Sequence, residues 1–236
     1  MKLFDSHCHY NDEKFEQDRD EIITQNLNEI SNAIVAGYNT ESSKKAVDIA
    51  NKYKELYAIV GISPNDVDDC QGDVLFGNLV TSHAPLAEIE ELAKNEKVVG
   101  IGEIGLDYYW NKENKELQKE VFIKQIELAN KLDLPIVIHT REAVMDTIEI
   151  LKTNPVNKKG VFHCCPMNVE LIKEAVKLGF YISFSGNITF KNAKNAEKCI
   201  KEVPIEKQLI ETDSPYMTPE PYRGKRNDPR KSYICC

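Results

Sequence analysis

The chain has 236 residues, a formal net charge of −8, and 42% hydrophobic against 29% charged residues. That balance belongs to a globular chain long enough to bury one sizeable core, and it excludes disordered and fibrous classes. No segment approaches the roughly 20 consecutive apolar residues a membrane span needs, and the acidic balance excludes a broad basic face that neutralises many phosphates, though not an enzyme engaging only a strand end.

Short β-rich apolar runs alternate with segments of helical period, the pattern of repeated βα units on a parallel sheet. In chain order the sequence predicts a strand at Lys2–His7, a helix at Arg19–Glu29, a strand at Ala33–Ala36 and a helix at Ser42–Tyr53. Next come a strand at Tyr57–Ile62, a helix at Pro85–Asn95, a strand at Val98–Ile104 and a helix at Lys115–Leu132. In that helix Leu117, Val121, Leu128 and Leu132 share a face. Pro135–His139, Gly160–His163, Phe180–Phe184 and Gln208–Glu211 complete the strands, with helices at Ala143–Leu151, Val169–Leu178 and Asn192–Glu202 between them. Eight strands and seven helices predict an α/β fold, a single (β/α)8 TIM barrel spanning residues 1–236 as one domain and lacking its final helix. Asn65–Ala84 reads as a long excursion on the βα side.

The seven cysteines, at 8, 70, 164, 165, 199, 235 and 236, form no regular framework. Reduced thiols are expected, and adjacent cysteines lack the C-x₂₋₄-C spacing of a thiolate metal site. The start MKLFDSHCHY has neither basic leader nor apolar signal core, so a cytoplasmic location is expected.

His7 and His9 lie two apart at a predicted strand end, which places both imidazoles on one face. Glu103 ends the fourth strand, His139 the fifth and His163 the sixth, and Asp213 follows the eighth. All six therefore reach the C-terminal mouth, where barrel enzymes place their chemistry. Only His83 among the five histidines stands apart. Carboxylates mixed with imidazoles fit Zn²⁺, Mn²⁺, Fe²⁺, Co²⁺ or Mg²⁺. Asp5 and Glu211, each two residues before a ligand, share the inward face; they either orient the ligands or form a buried structural pair. Arg223 and Lys225, in a loop with Arg226, Arg230 and Lys231, either bind a substrate phosphate or belong to a solvated basic tail. Tyr108, Tyr109 and Trp110 either stack on unpaired bases or cover the mouth.

The stretches FDSHCHY (4–10), VVGIGEIGLDYYW (98–110), PIVIHTREA (135–143), FHC (162–164), YISFSGNITFKNAK (181–194) and IETDSPYMTPEPYRGKRND (210–228) resemble the TatD-like metal-dependent deoxyribonucleases of the amidohydrolase superfamily over nearly the whole chain. The resemblance implies two divalent cations, one held by His7, His9 and Asp213 and the other by His139 and His163, with Glu103 between them. It implies hydrolysis of DNA phosphodiester bonds by a metal-activated water, with single-stranded ends as substrate and Asp213 and Glu103 as catalytic groups. Asp213 is the natural proton acceptor beside the nucleophile, or else a plain ligand or helix cap.

The sequence departs from the family at Ser63, where histidine is usual, and at Cys165-Pro166-Met167-Asn168, where Phe-Ser-Gly-Ser is usual. Substrate contacts of those loops are expected to differ. A missing final helix is expected to leave apolar surface exposed or covered by a partner chain. Two other functions fit the pattern less well: a binuclear-metal hydrolase of a small ester, lactone or amide, and a binding protein without turnover.

Overall fold

A computed structural model describes residues 2–70 and 85–235. Eight strands, β1 (Leu3–Cys8), β2 (Ile30–Ala36), β3 (Leu56–Val60), β4 (Val98–Asp107), β5 (Ile136–Arg141), β6 (Gly160–Phe162), β7 (Tyr181–Phe184) and β8 (Gln208–Ile210), form one sheet in sequence order. Every neighbouring pair is parallel. The ends meet beyond β8, where Asp213 N donates to His7 O at 3.0 Å and His9 N to Ser214 O at 2.7 Å. The expected (β/α)8 barrel is thus present, nearly closed, and its closing bonds run through the backbone of three candidate ligands.

Seven α-helices lie among the described residues: α1 (Arg19–Leu27), α2 (Thr40–Lys52), α3 (Pro85–Leu92), α4 (Lys115–Leu132), α5 (Val144–Thr153), α6 (Val169–Lys177) and α7 (Ala196–Glu202). Helix α2 starts from a reciprocal cap in which Asn39 Oδ1 accepts from Ser42 N and Ser42 Oγ accepts from Asn39 N, both at 2.9 Å. Such a cap contributes about 1 kcal/mol.

Helix α4 has the predicted bounds but not quite the predicted face. Leu117 and Leu132 are only half-buried, while Gln118 and Gln125 are completely buried beside Val121, Phe122, Ile126 and Ala129. Each glutamine satisfies both main-chain groups of one residue at a strand tip. Gln118 Oε1 accepts from Asp107 N at 2.8 Å while its Nε2 donates to Asp107 O at 3.1 Å. Gln125 does the same for Ile62, at 2.7 and 2.9 Å. Polar side chains occupy the core face here because the strand tips they meet present unpaired backbone groups.

β5 runs on to Arg141, and β2 and β4 are each three residues longer than predicted. β2 begins at Ile30, because Ser31 and Asn32 turn their polar atoms to the Leu3 and Glu55 carbonyls of the neighbouring segments. β4 continues through Gly105 to Asp107; at Gly105 φ is +140°, and a Cβ there would lie 2.0 Å from His139 O. Only glycine lets the strand continue so close to its neighbour.

After β8 the chain follows an irregular course to a 3-10 helix, Pro229–Cys235, which packs near β1 and β2. β8 stays half-buried throughout and Phe4 is exposed. Residues 71–84, with His83 and most of the expected excursion, lie outside the described residues; Val67–Cys70 forms a short 3-10 turn before them. Among the described residues no helix is long and apolar enough to cross a membrane.

Candidate metal centre at the barrel mouth

The six candidate ligands converge. His7 and His9 close β1, and their Nε2 atoms stand 3.2 Å apart. Asp213 follows β8 with φ 53°, and its Oδ1 lies 3.2 Å from His9 Nε2 and 3.8 Å from His7 Nε2. On the other side His139 Nδ1 and His163 Nε2 are 3.3 Å apart, and both are 2.9 Å from Glu103 Oε1. Glu103 Oε2 turns the other way, 3.6 Å from His7 Nε2 and 3.9 Å from His9 Nε2. One carboxylate thus offers an oxygen to each of two groups: His7, His9 and Asp213, and His139 and His163.

The tautomers follow from what lies behind the rings. His9 Nδ1 is 3.0 Å from Ala36 O, which can only accept, so Nδ1 carries the hydrogen and the Nε2 lone pair faces Asp213. His139 Nε2 is 3.0 Å from Asp107 Oδ2, so its Nδ1 lone pair faces Glu103. In both cases a lone pair confronts a carboxylate oxygen across about hydrogen-bond distance, which is unfavourable unless a positive charge sits between them. The clusters His7–His9–Asp213 and Glu103–His139–His163 therefore fit a cation by donor chemistry as well as by proximity. Without a cation, protons fill the role: burial opposes charge, but Asp213 raises the pKa of His9, and Asp107 and Glu103 raise that of His139. For Glu103, burial likewise works against ionisation, yet the field of His163 and hydrogen bonds from the facing histidines hold its carboxyl well below the usual range.

Asp5 and Glu211 sit beneath this cluster, fully buried. Asp5 accepts from His7 N at 3.2 Å, Thr212 N at 3.0 Å and Thr212 Oγ1 at 2.6 Å, tying the tip of β1 to the segment after β8. Burial pushes its pKa up to about 8 against those bonds. Glu211 Oε1 accepts from Cys164 N at 2.6 Å and lies 3.5 Å from His163 Nδ1, while Oε2 has no hydrogen-bond partner among the described residues.

Above the cluster opens a cavity of about 630 Å³, lined by His9, Glu103, His139, His163 and Asp213 together with Tyr38, Ser63, Trp110, Arg141, Cys164 and Tyr216 among others. Arg223 and Lys225 are exposed and do not line it. Arg223 donates to Thr218 O at 3.0 Å and stacks over Phe190. Tyr108 is buried with its hydroxyl donating to Asp146, so of the three aromatics only Trp110 faces the cavity.

The profile of the family described as "TatD related DNase" matches residues 4–233. The chain belongs to this TatD-related family. Among its relatives, the uncharacterized metal-dependent hydrolase YabD of Bacillus subtilis is 41% identical over 98% of this chain and 87% of its own length. YcfH of Escherichia coli K12, also an uncharacterized metal-dependent hydrolase, is 36% identical over 97% and 83%. The crystal structure of YJJV, a TatD homologue from Escherichia coli K12, superposes with a TM-score of 0.88 at 26% identity, covering 98% of this chain and 86% of that one.

Sequence reading had not singled out Asp107, Arg141 or the two buried glutamines. At the TatD family's usual histidine position, Ser63 Oγ donates to Asp66 Oδ2 at 2.6 Å and accepts from Asn65 N, which closes a turn at the cavity edge. Within the other departure from the TatD pattern, Asn168 caps α6 by accepting from Leu171 N.

Proposed function

We propose that this chain is a metal-dependent hydrolase that cleaves DNA phosphodiester bonds at single-stranded ends, working in the cytoplasm as one domain over residues 1–236. The observation that carries the reading is Glu103, whose two carboxylate oxygens face separate groups of nitrogen and oxygen ligands. His7, His9 and Asp213 would hold one divalent cation, His139 and His163 the second, and Glu103 both. Such cations supply positive charge against phosphoryl oxygens and make water acidic at neutral pH.

The chain's own groups do the rest. Asp213, at the cavity floor, is placed to take a proton from the attacking water, and its neighbour His9 is held in one tautomer by Ala36 O. Asp107 fixes the tautomer of His139, and Asp5 and Glu211 hold the backbone beside His7, Asp213 and His163. Arg223 and Lys225, exposed on the loop after β8, are available to a longer DNA strand leaving the cavity. The family name, which describes a DNase, supports the choice of DNA.

The test is incubation of the purified protein with end-labelled single-stranded DNA and Mg²⁺ or Mn²⁺, alongside a panel of esters, lactones and amides. Processive shortening of the DNA is expected. Turnover of the small substrates with intact DNA under every cation would overturn the assignment.

A further inference from the structure

We propose that Arg141 and Trp110, backed by Tyr109, form a subsite for one nucleotide of the substrate strand, the guanidinium taking a phosphate and the indole a base. This rests on the nuclease reading and adds to it the residues that hold the strand beside the metal centre. β5 carries His139 and, two residues on, Arg141, so the strand period brings both to one face, and both line the cavity. Arg141 is the only lysine or arginine among the lining residues. The carboxylates there are already engaged: Asp66 by Ser63 and Asn39, and Glu103 and Asp213 by histidines.

Arg141 also differs from every other arginine of the chain. Arg19, Arg223, Arg226 and Arg230 each donate to a backbone carbonyl or a carboxylate. The Arg141 side chain makes no hydrogen bond or ion pair among the described residues. It lies instead over the Tyr109 ring, 3.8 Å from the centroid, with Trp110 at 5.4 Å. Stacking holds the guanidinium plane while leaving its in-plane N–H donors free, the arrangement that suits a two-point grip on phosphate oxygens.

The rings beside it are exposed, Trp110 by 69% and Tyr109 by 44%, in an edge-to-face pair 4.8 Å apart. Their loop is nevertheless fixed. Asp107 Oδ1 accepts from Tyr109 N at 2.9 Å and Trp110 N at 3.1 Å, while its Oδ2 holds His139. A free guanidinium, and beside it an exposed indole whose backbone N–H is held by the carboxylate that orients a candidate ligand, match an anion joined to a flat base. An uncharged ester or lactone would leave the guanidinium without a partner.

Trp110 is the only tryptophan, so fluorescence excited at the red edge, where the ten tyrosines do not absorb, reports on the subsite. The experiment titrates the full chain, loaded with Mn²⁺, with a phosphorothioate-linked hexathymidylate that resists cleavage, at several salt concentrations. Saturable quenching is expected. Arg141→Ala, its melting temperature and metal content checked against wild type, should bind about tenfold more weakly, with the slope of log Kd against log salt reduced by about 0.7, one phosphate contact to a single strand. Arg141→Lys should recover part of the affinity. Trp110→Ala, followed by anisotropy of a labelled hexamer, should also weaken binding. If wild type binds and cleaves DNA while Arg141→Ala matches it in affinity and salt slope, the subsite is overturned and the nuclease reading stands. A wild-type protein that neither binds nor cleaves DNA overturns both.

Discussion

The two halves of the candidate ligand cluster are braced differently. On the β1 side His9 leans on a main-chain carbonyl, Ala36 O, which also accepts from Asn11 Nδ2 at 2.9 Å. On the β5 side His139 leans on the carboxylate of Asp107, which simultaneously accepts from the backbone of the Tyr109–Trp110 loop. A carbonyl within a strand cannot be changed by substitution and carries no net charge. A carboxylate can, and it makes the imidazole a stronger donor to a cation. The β1 half is therefore built into the barrel, whereas the β5 half is adjustable and coupled to the cavity wall.

The largest expected effect erases the comparison altogether. Glu103 serves both halves, so Glu103→Ala should lower kcat by more than about a thousandfold, on the scale of removing one member of a catalytic unit, and metal analysis should show both positions depleted. Loss of only one equivalent with activity retained would mean the halves do not share this group. Next is Asp107→Asn, which should weaken cation binding by about 10 to 100-fold. Isothermal titration should place that loss in one of two binding steps; equal weakening of both would remove the asymmetry.

A smaller effect separates bracing from stability. Gln118→Ala strips the partners from Asp107 N and O and should destabilise the fold by about 1–3 kcal/mol, read from chemical denaturation. Gln125→Ala, the equivalent clamp on Ile62, should cost a similar amount but leave the Asp107-dependent step of the cation titration unchanged. If both variants alter cation affinity equally, the Asp107 side has no special link to its helix.

The smallest concerns Asp228, in the region after β8. Burial of Asp228 opposes its charge, but Arg230 and Lys231 overcome that and hold its pKa below the ordinary 3.8. A carboxylate with a lowered folded-state pKa contributes stability that is full above the unfolded value and lost as pH falls through the folded one. The stability advantage of wild type over Asp228→Asn should therefore be constant at neutral pH and shrink below about pH 3.8. Melting curves across that range check it; an advantage growing toward acid would contradict the ion pairing.

Much of this architecture was legible in the residue order because periodicity carries it. α4 was placed end to end, since its apolar spacing runs up to Asp133, whose left-handed φ of 56° stops the helix just before Leu134-Pro135. The six candidate ligands were legible because imidazoles and carboxylates recur at successive strand tips. Asp107 was not, because Gly105 reads as a break; yet Glu103, Gly105 and Asp107 keep the period of two, as do His139 and Arg141, and extending both strands by that rule would have found them. The buried glutamines could not be read, because a polar residue on a helix face announces solvent unless the unpaired backbone opposite it is known. The basic loop after β8 showed its number of charges but not their direction: Arg226 turns to Asp18, and Arg230 and Lys231 to Asp228.

The backbone at Asp213 bears on how this position can vary. At φ 53° it occupies a conformation that asparagine and aspartate enter readily and most other side chains resist. Lengthening the acid by one methylene would thus meet a conformational penalty before any question of coordination arose. The alphabet open to drift or to directed evolution at the end of the eighth strand is correspondingly narrow, and a library randomised there should return few folded survivors beyond aspartate, asparagine and glycine.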